Sequence, residues 1–507
     1  MKRAALLLLV LVMSASMTVG CGSSPAPAAK EAPKAAVKDT LVMELKSDIS
    51  TLDPQYNVAT ISAVVFGNIY EPLMYYQDGK YVPSLATKYE VSPDGLTYTF
   101  YLKKGVKFHN GETFKADDVV YTIERAKKSP YMLTQSEDID KAVAVDDSTV
   151  QIKLKKQYVP FVVNIAFEFL MLNRKAGEQY GENLKSNPVG TGPYKLKSRL
   201  DGDSITLERF DDWHEGKAQI KTATFKVISE ATSAVIALEA GTLDLVNSTP
   251  PIARQSIKKN PKLKLAEVPT LTSQYLPMQL TKAPFNDINF RMAINYAIDR
   301  KKIIDVAYEG GGQIATSVWP PATVGFSPKI TAFEYNPAKA KEYLAKSSYK
   351  GKAIEYSIGY EGARKQAVLI QEDLRAVGIN MEIKLYEQNA WIQDMKTGNF
   401  DISSINMTVS PDVHFWNRAF HSSSINTVLN FSRLSDPAVD KAFADGLSIQ
   451  DPQKRIQNYE IIGNYIKDKA IVVPICYLTA TPAYSANLTI SQFRPDGYAL
   501  LRYMNWK

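Results

Sequence analysis

The sequence has little of the two side chains on which metal sites and many enzymes depend. Among 507 residues there are two cysteines and four histidines. Cys21 and Cys476 are the whole thiol complement, which excludes a disulfide scaffold. No C-x-x-C pair and no H-E-x-x-H zinc motif is present. A Walker loop and a G-x-S-x-G nucleophile elbow are also missing. Gly190-Thr191-Gly192 opens like a dinucleotide loop, but the third glycine is absent and Pro193 stands where a helix should start. Of His109, His214, His414 and His421, only the last two are close in sequence. They read either as a weak metal site, with His414 its candidate, or as two exposed loop histidines. Beyond the first residues, no run approaches the ~18 apolar positions a membrane span needs. The net charge of +7 is spread along the chain, without the basic cluster of a nucleic-acid binder.

What is present is ordinary globular composition, 45% hydrophobic and 22% charged. The length suits several domains of roughly 100–200 residues. Lys2 and Arg3 precede an apolar core over 4–13, and small residues follow to Gly20. This is the layout of a signal peptide over 1–20. Thr18-Val19-Gly20-Cys21 is similar to a lipoprotein cleavage box, although Thr18 replaces the usual Leu. The expectation is lipidation at Cys21; the alternative is a plain secretory cut nearby. Residues 21–39, rich in Ala, Pro, Ser and Lys, read as a flexible tether.

Strand and helix patterns then alternate, which predicts α/β layers. Residues 97–102 alternate as a strand that continues into 106–108, and Val150, Ile152 and Leu154 mark another. The pattern over 115–128 predicts a helix with Asp117 and Asp118 in its first turn. Asn289 is expected to cap a long helix through Tyr308. Asn336-Pro337 and Asp451-Pro452 pair a cap with a first-turn proline. Helices over 363–377 and 390–397 end at Gly378 and Gly398. Cys476, in the apolar strand 471–476, is expected to be a buried small hydrophobe.

The run Pro93-Asp94-Gly95-Leu96-Thr97-Tyr98-Thr99-Phe100-Tyr101-Leu102-Lys103-Lys104-Gly105-Val106-Lys107-Phe108-His109-Asn110-Gly111 strongly resembles the signature of the extracellular solute-binding proteins of the peptide/nickel class. Thr51-Leu52-Asp53-Pro54, Ile69-Tyr70-Glu71-Pro72-Leu73, Val189-Gly190-Thr191-Gly192-Pro193-Tyr194, Ala240-Gly241-Thr242-Leu243-Asp244 and Gly398-Asn399-Phe400-Asp401 follow the same family in order. The resemblance covers about 41–507. It implies an α/β, two-lobed periplasmic-binding-protein type II fold with an extra subdomain in the first lobe. The expected division is 41–277 plus 484–507 for the first lobe, the subdomain at about 75–190, and 278–483 for the second. It further implies a non-catalytic monomer without a cofactor, held outside the cytoplasm by its lipid. Its partners would be the permease and ATPase subunits of an ABC importer and a small solute, with no nucleic acid.

Dipeptide binders of this family set an Asp against the ligand ammonium and an Arg against its carboxylate. Here the first loop, Asn406-Met407-Thr408-Val409-Ser410-Pro411-Asp412, is shorter than the family pattern. Met407 lies where Trp or Asp is usual, and Asp412 reads either as the ligand carboxylate or as a helix cap. Tyr360 or Glu361 stands at the Arg position, with Arg364 displaced onto the helix. The cargo is therefore a peptide held mainly by its backbone, or a non-peptide such as a sugar or nickel chelate; a ligand sensor is the further alternative. By resemblance Tyr70, Tyr275, Trp319, Trp391 and Trp416 join Tyr360, Met407 and Asp412 as candidate cleft residues. Trp391 reads equally as a core residue at its helix start.

Overall fold

Short-range rules place most elements. Thr97–Leu102 alternates, and Tyr98, Phe100 and Leu102 all point to a buried face. It pairs antiparallel with Ala86–Val91 on one side and Thr149–Leu154 on the other. Ile139–Asp146 completes this four-stranded sheet. The helix Ala116–Ala126 lays Val119 and Ile123 on it, in a core that also takes Phe161 and Phe169. Beyond Leu102 the strand expected at 106–108 is one arm of a short hairpin, with a single antiparallel bridge from Lys107 to Thr113: Phe108 N–H bonds Glu112 O, and Gly111 at the tip takes φ +87°. This subdomain is the extra unit of the first lobe.

The computed structural model describes residues 38–507 except 58, 59, 78, 79, 409 and 428. The leader, Cys21 and nearly all of the tether therefore lie outside the described residues. From Asp39 onward the chain is one compact unit of two lobes. The first is built on a seven-stranded sheet in the order Leu263–Leu265, Ala483–Ser485, Leu245–Val246, Thr40–Leu45, Thr222–Val227, Ser204–Arg209 and Tyr194–Leu200. Met43 is the register point, opposite Phe225 on one side and Leu245 on the other, both parallel. These three side chains are fully buried beside Ile69, Tyr70 and Tyr194.

Val268–Pro277 and Val472–Ala480 pair antiparallel along the passage between the lobes. With Gly312–Ile314 and Ile405–Thr408 they form a four-stranded sheet at the junction with the second lobe. A parallel three-stranded sheet, Met381–Leu385, Ile354–Ile358 and Ile402–Ser403, lies beside it. The helix Arg364–Val377 covers it and ends at Gly378, φ +99°. The long helix expected over 289–308 is two helices, Ile288–Ala297 and Arg300–Ala307. Asp287 rather than Asn289 caps the first, and Asp299 caps the second through Lys302 N–H at 3.0 Å. The break at Ile298 frees the carbonyls of Asn295 and Ile298 for the buried Arg300 guanidinium. Cys476 is fully buried, and burial pushes its thiol up to about 12.

Two family motifs acquire physical reasons. A Cβ on Gly190 would sit 1.9 Å from the Ile69 carbonyl oxygen, so only glycine allows that approach. His109 accepts from Gly190 N–H at Nδ1 and donates from Nε2 to Gly192 O at 2.9 Å. Burial lowers its pKa to about 4, so this neutral tautomer persists at physiological pH. Asp53 of the Leu-Asp-Pro motif pairs with Arg125, and Gln55 accepts from the same guanidinium at 2.8 Å. That network ties the first lobe to the subdomain helix.

Candidate functional site

A cavity of about 430 Å³ lies between the lobes, within the ~300–1,000 Å³ usual for small-molecule sites. First-lobe walls come from Phe66 to Gln77, from the 131–135 and 164–170 segments, and from the C-terminal stretch 492–503. The crossing strand Val268–Pro277 contributes Leu271, and the second lobe contributes Thr408, Ser410, Pro411, Phe415 and Arg418. Direct bonds hold the lobes over it. Tyr76 OH donates to Ala322 O at 2.9 Å, Ser410 Oγ donates to Glu168 Oε1 at 3.0 Å, and Val159 N–H donates to Leu447 O at 2.8 Å. Tyr158 and His414 meet edge to face, their rings 5.7 Å apart.

Five charged residues line the cavity, of which Arg494 and Asp496 pair with each other at 2.8 Å. Arg418 is half-buried, and among the described residues its guanidinium makes no hydrogen bond or ion pair. Glu168 has its pKa raised by burial, against the Ser410 hydrogen bond and the nearby charges of Arg418 and Arg494. Arg502 is committed to the wall: Nη1 donates to Tyr75 OH at 2.6 Å and the guanidinium lies 4.1 Å from the Tyr75 ring centre. Behind it Glu71 is fully enclosed and takes bonds from His214 Nε2 at 2.9 Å and Tyr75 OH at 3.1 Å. Burial alone would raise the Glu71 pKa; His214 and then Arg502 outweigh it and hold it below the usual range. The remaining wall is largely aromatic, with Phe66, Tyr70, Tyr76, Phe167 and Phe415. Such rings supply contact area at low entropic cost.

The sequence-derived candidates separate into five places. Tyr70 lines the cavity, its hydroxyl donating to Leu52 O at 3.0 Å. Tyr275, Trp319, Met407 and Trp416 come together in one core with Phe420 and Tyr459, all enclosed in this conformation. Trp391 packs with Met395, Phe400 and Phe431, its indole N–H on Ser403 Oγ at 3.0 Å and its ring against Gly359. Tyr360 is 47% exposed, and its hydroxyl accepts from Asn406 Nδ2 at 3.5 Å. Asp412 is 1% exposed and bidentate with Arg455 at 2.5 and 2.8 Å; it also caps the turn Val413–Trp416 through His414 N–H. Arg364 pairs with Glu361 on the surface.

His414 corrects the reading of two exposed loop histidines. It is buried, and its pKa falls to about 4 because burial penalises the cation. Among the described residues, no group of three or more His, Cys, Asp or Glu side chains is placed to hold a metal ion. Arg418 and Glu168 went unnoticed in the sequence, though Glu168 carries a signal. It is the one charged residue in the apolar run from Val159 to Leu172. A carboxylate retained in such a run needs a polar purpose.

Residues 80–427 match the model of the bacterial extracellular solute-binding proteins, family 5. The chain belongs to this family. As a family 5 member it is an extracytoplasmic solute-binding protein, not an enzyme. It is 29% identical to the glutathione-binding protein GsiB of Salmonella choleraesuis over 92% of this chain and 94% of that protein. It is 29% identical to the dipeptide-binding protein of Escherichia coli over 78% and 81%. The solved ABC transporter substrate-binding protein CtaP of Listeria monocytogenes superposes with a TM-score of 0.85 at 25% identity, covering 93% of this chain and 99% of that one. Among the described residues of this family 5 protein, no helix is long and apolar enough to cross a membrane.

Proposed function

We propose that this protein is the capture component of an ABC importer and that its cargo is a small zwitterionic solute of peptide type. The observation that carries this reading is the interlobe cavity with a free guanidinium, Arg418, and a carboxylate, Glu168. Arg418 takes the cargo carboxylate, since an arginine fork matches a carboxylate's two oxygens. Glu168 takes the ammonium. Because Asp412 is neutralised by Arg455, it does not serve as the ammonium's partner here. Phe415 packs on the cargo, while fully buried Tyr70 and the Tyr275, Trp319, Met407 and Trp416 core stiffen the wall from behind. The protein works as a monomer, with lobes divided at about 277 and 484 and closing by hinge motion at the paired strands.

Native mass spectrometry of gently purified protein, with released ligand identified after denaturation, tests the cargo. Peptide masses support the reading; a single sugar or metal-chelate mass refutes it. Anchoring through a lipid on Cys21 belongs to the same proposal. Cys21→Ser should move the protein from the membrane fraction to the soluble fraction, and unchanged membrane association would refute the anchor.

A further inference from the structure

A second cavity, about 230 Å³, lies on the hinge side of the cleft. Its lining includes Glu44, Lys46, Thr272, Thr479, Asp496 and Tyr498. Asp496 also lines the larger cavity, so the two spaces adjoin at that residue. Its carboxylate is already spent on Arg494 at 2.8 Å and on Tyr498 N–H. Glu44 is different. It is 2% exposed, and its side chain accepts Asn247 N–H at 2.9 Å. Among the described residues it has no ion-pair partner: Lys46, at the exposed rim, forms none with it. Burial raises the Glu44 pKa against that hydrogen bond and the more distant Lys46 charge. The Thr479 hydroxyl in the same lining is buried and lacks a hydrogen-bond partner.

A buried carboxylate without a cation is costly, and the cost is recovered when a cation arrives. We propose that the Glu44 cavity is a second subsite, which receives an ammonium or guanidinium arm of the same cargo that fills the larger cavity. It thus rests on the peptide-type reading and narrows it to solutes carrying an additional positive group. Glu44 supplies the charge, Thr479 an additional acceptor, and the neutralised Asp496 a passage between the two spaces.

The test is calorimetric titration of the mature protein with tri-alanine and its three single-lysine variants. At least one lysine variant should bind tenfold or more tightly than tri-alanine. Glu44→Gln should abolish that preference while tri-alanine affinity stays within about twofold. Thr479→Val, which leaves the buried carboxylate in place, should reduce the preference a fewfold and guards against a folding defect in the first variant. No lysine preference, or a preference that survives Glu44→Gln, overturns the subsite. If no tripeptide binds at all, the peptide-type reading falls, and n-butylammonium decides the subsite alone. A thermal shift of the wild type by n-butylammonium that is absent in Glu44→Gln upholds it; equal response of the two proteins overturns it.

Discussion

Removing the carboxylate of Asp412 should cost folding stability and leave cargo affinity nearly untouched. Asp412 and Arg455 are 1% and 3% exposed and share two hydrogen bonds. Arg455 is further held by Gly446 O at 2.9 Å and Tyr459 OH at 2.8 Å, so it cannot swing out to water when its partner goes. Asp412→Ala therefore strands a buried cation. Breaking such a pair costs about 3–5 kcal/mol, far more than a surface ion pair. Unfolding entropy scales with chain length, so for the unit Asp39–Lys507 each kcal/mol is worth about 1 °C, and the unfolding midpoint should fall by about 3–5 °C. Calorimetry on Asp412→Ala, and on Asp412→Leu combined with Arg455→Met, is the assay. The double variant removes both charges and should recover most of the loss. Titration at a temperature where the single variant is folded should show cargo binding within a few-fold of wild type. A midpoint unchanged within a degree, with cargo affinity down tenfold or more, would refute the argument and make Asp412 the ligand carboxylate.

Other outcomes follow from the same geometry. Arg418→Ala should weaken cargo binding about ten- to 150-fold, the loss of a charged hydrogen-bonded contact worth about 1.5–3 kcal/mol, without lowering the unfolding midpoint. Glu168→Gln should raise the apo midpoint at pH 7 while weakening cargo binding. The raised pKa means that ionised Glu168 costs stability, a cost present above its folded pKa and absent below about 4.5, the ordinary Glu value. The stabilisation should therefore disappear on titration to pH 4, and a Glu168→Gln gain equal at both pH values would count against the pKa assignment. Gly190→Ala should destabilise by more than about 2 kcal/mol, since its Cβ would overlap the Ile69 carbonyl and force the backbone to move. Denaturant unfolding that matches wild type would show that the turn accommodates the methyl group.

Elements governed by near neighbours were legible in the chain itself. The caps at Asn336 and Asp451, the terminators Gly378 and Gly398, and the alternation of Thr97–Leu102 each act within a few residues. The order of motifs carried the family and its two-lobed architecture, because each motif is a local turn or cap. The helix break at Ile298 escaped notice because its cause is the buried Arg300, which also bonds Pro474 O from a distant strand. Asp412 was ambiguous for the same reason: its cap on His414 is local, but its ion partner lies 43 residues on. Tryptophans 319 and 416 suit a core and a cleft equally by type, and only packing encloses them.

Hydrogen bonding across the cleft lies furthest from sequence reasoning. Ser410 meets Glu168 over 242 positions, and Tyr76 meets Ala322 over 246. Propensity, capping and periodicity act over a helical turn or a strand pair, whereas these contacts exist only once two lobes have folded and met. The sequence by itself determined the class of protein and the local geometry of its turns. Tertiary structure decided which charges are spent internally, as in Asp412 with Arg455, and which remain available to a cargo, as in Arg418, because desolvation and partner distance are properties of the assembled fold.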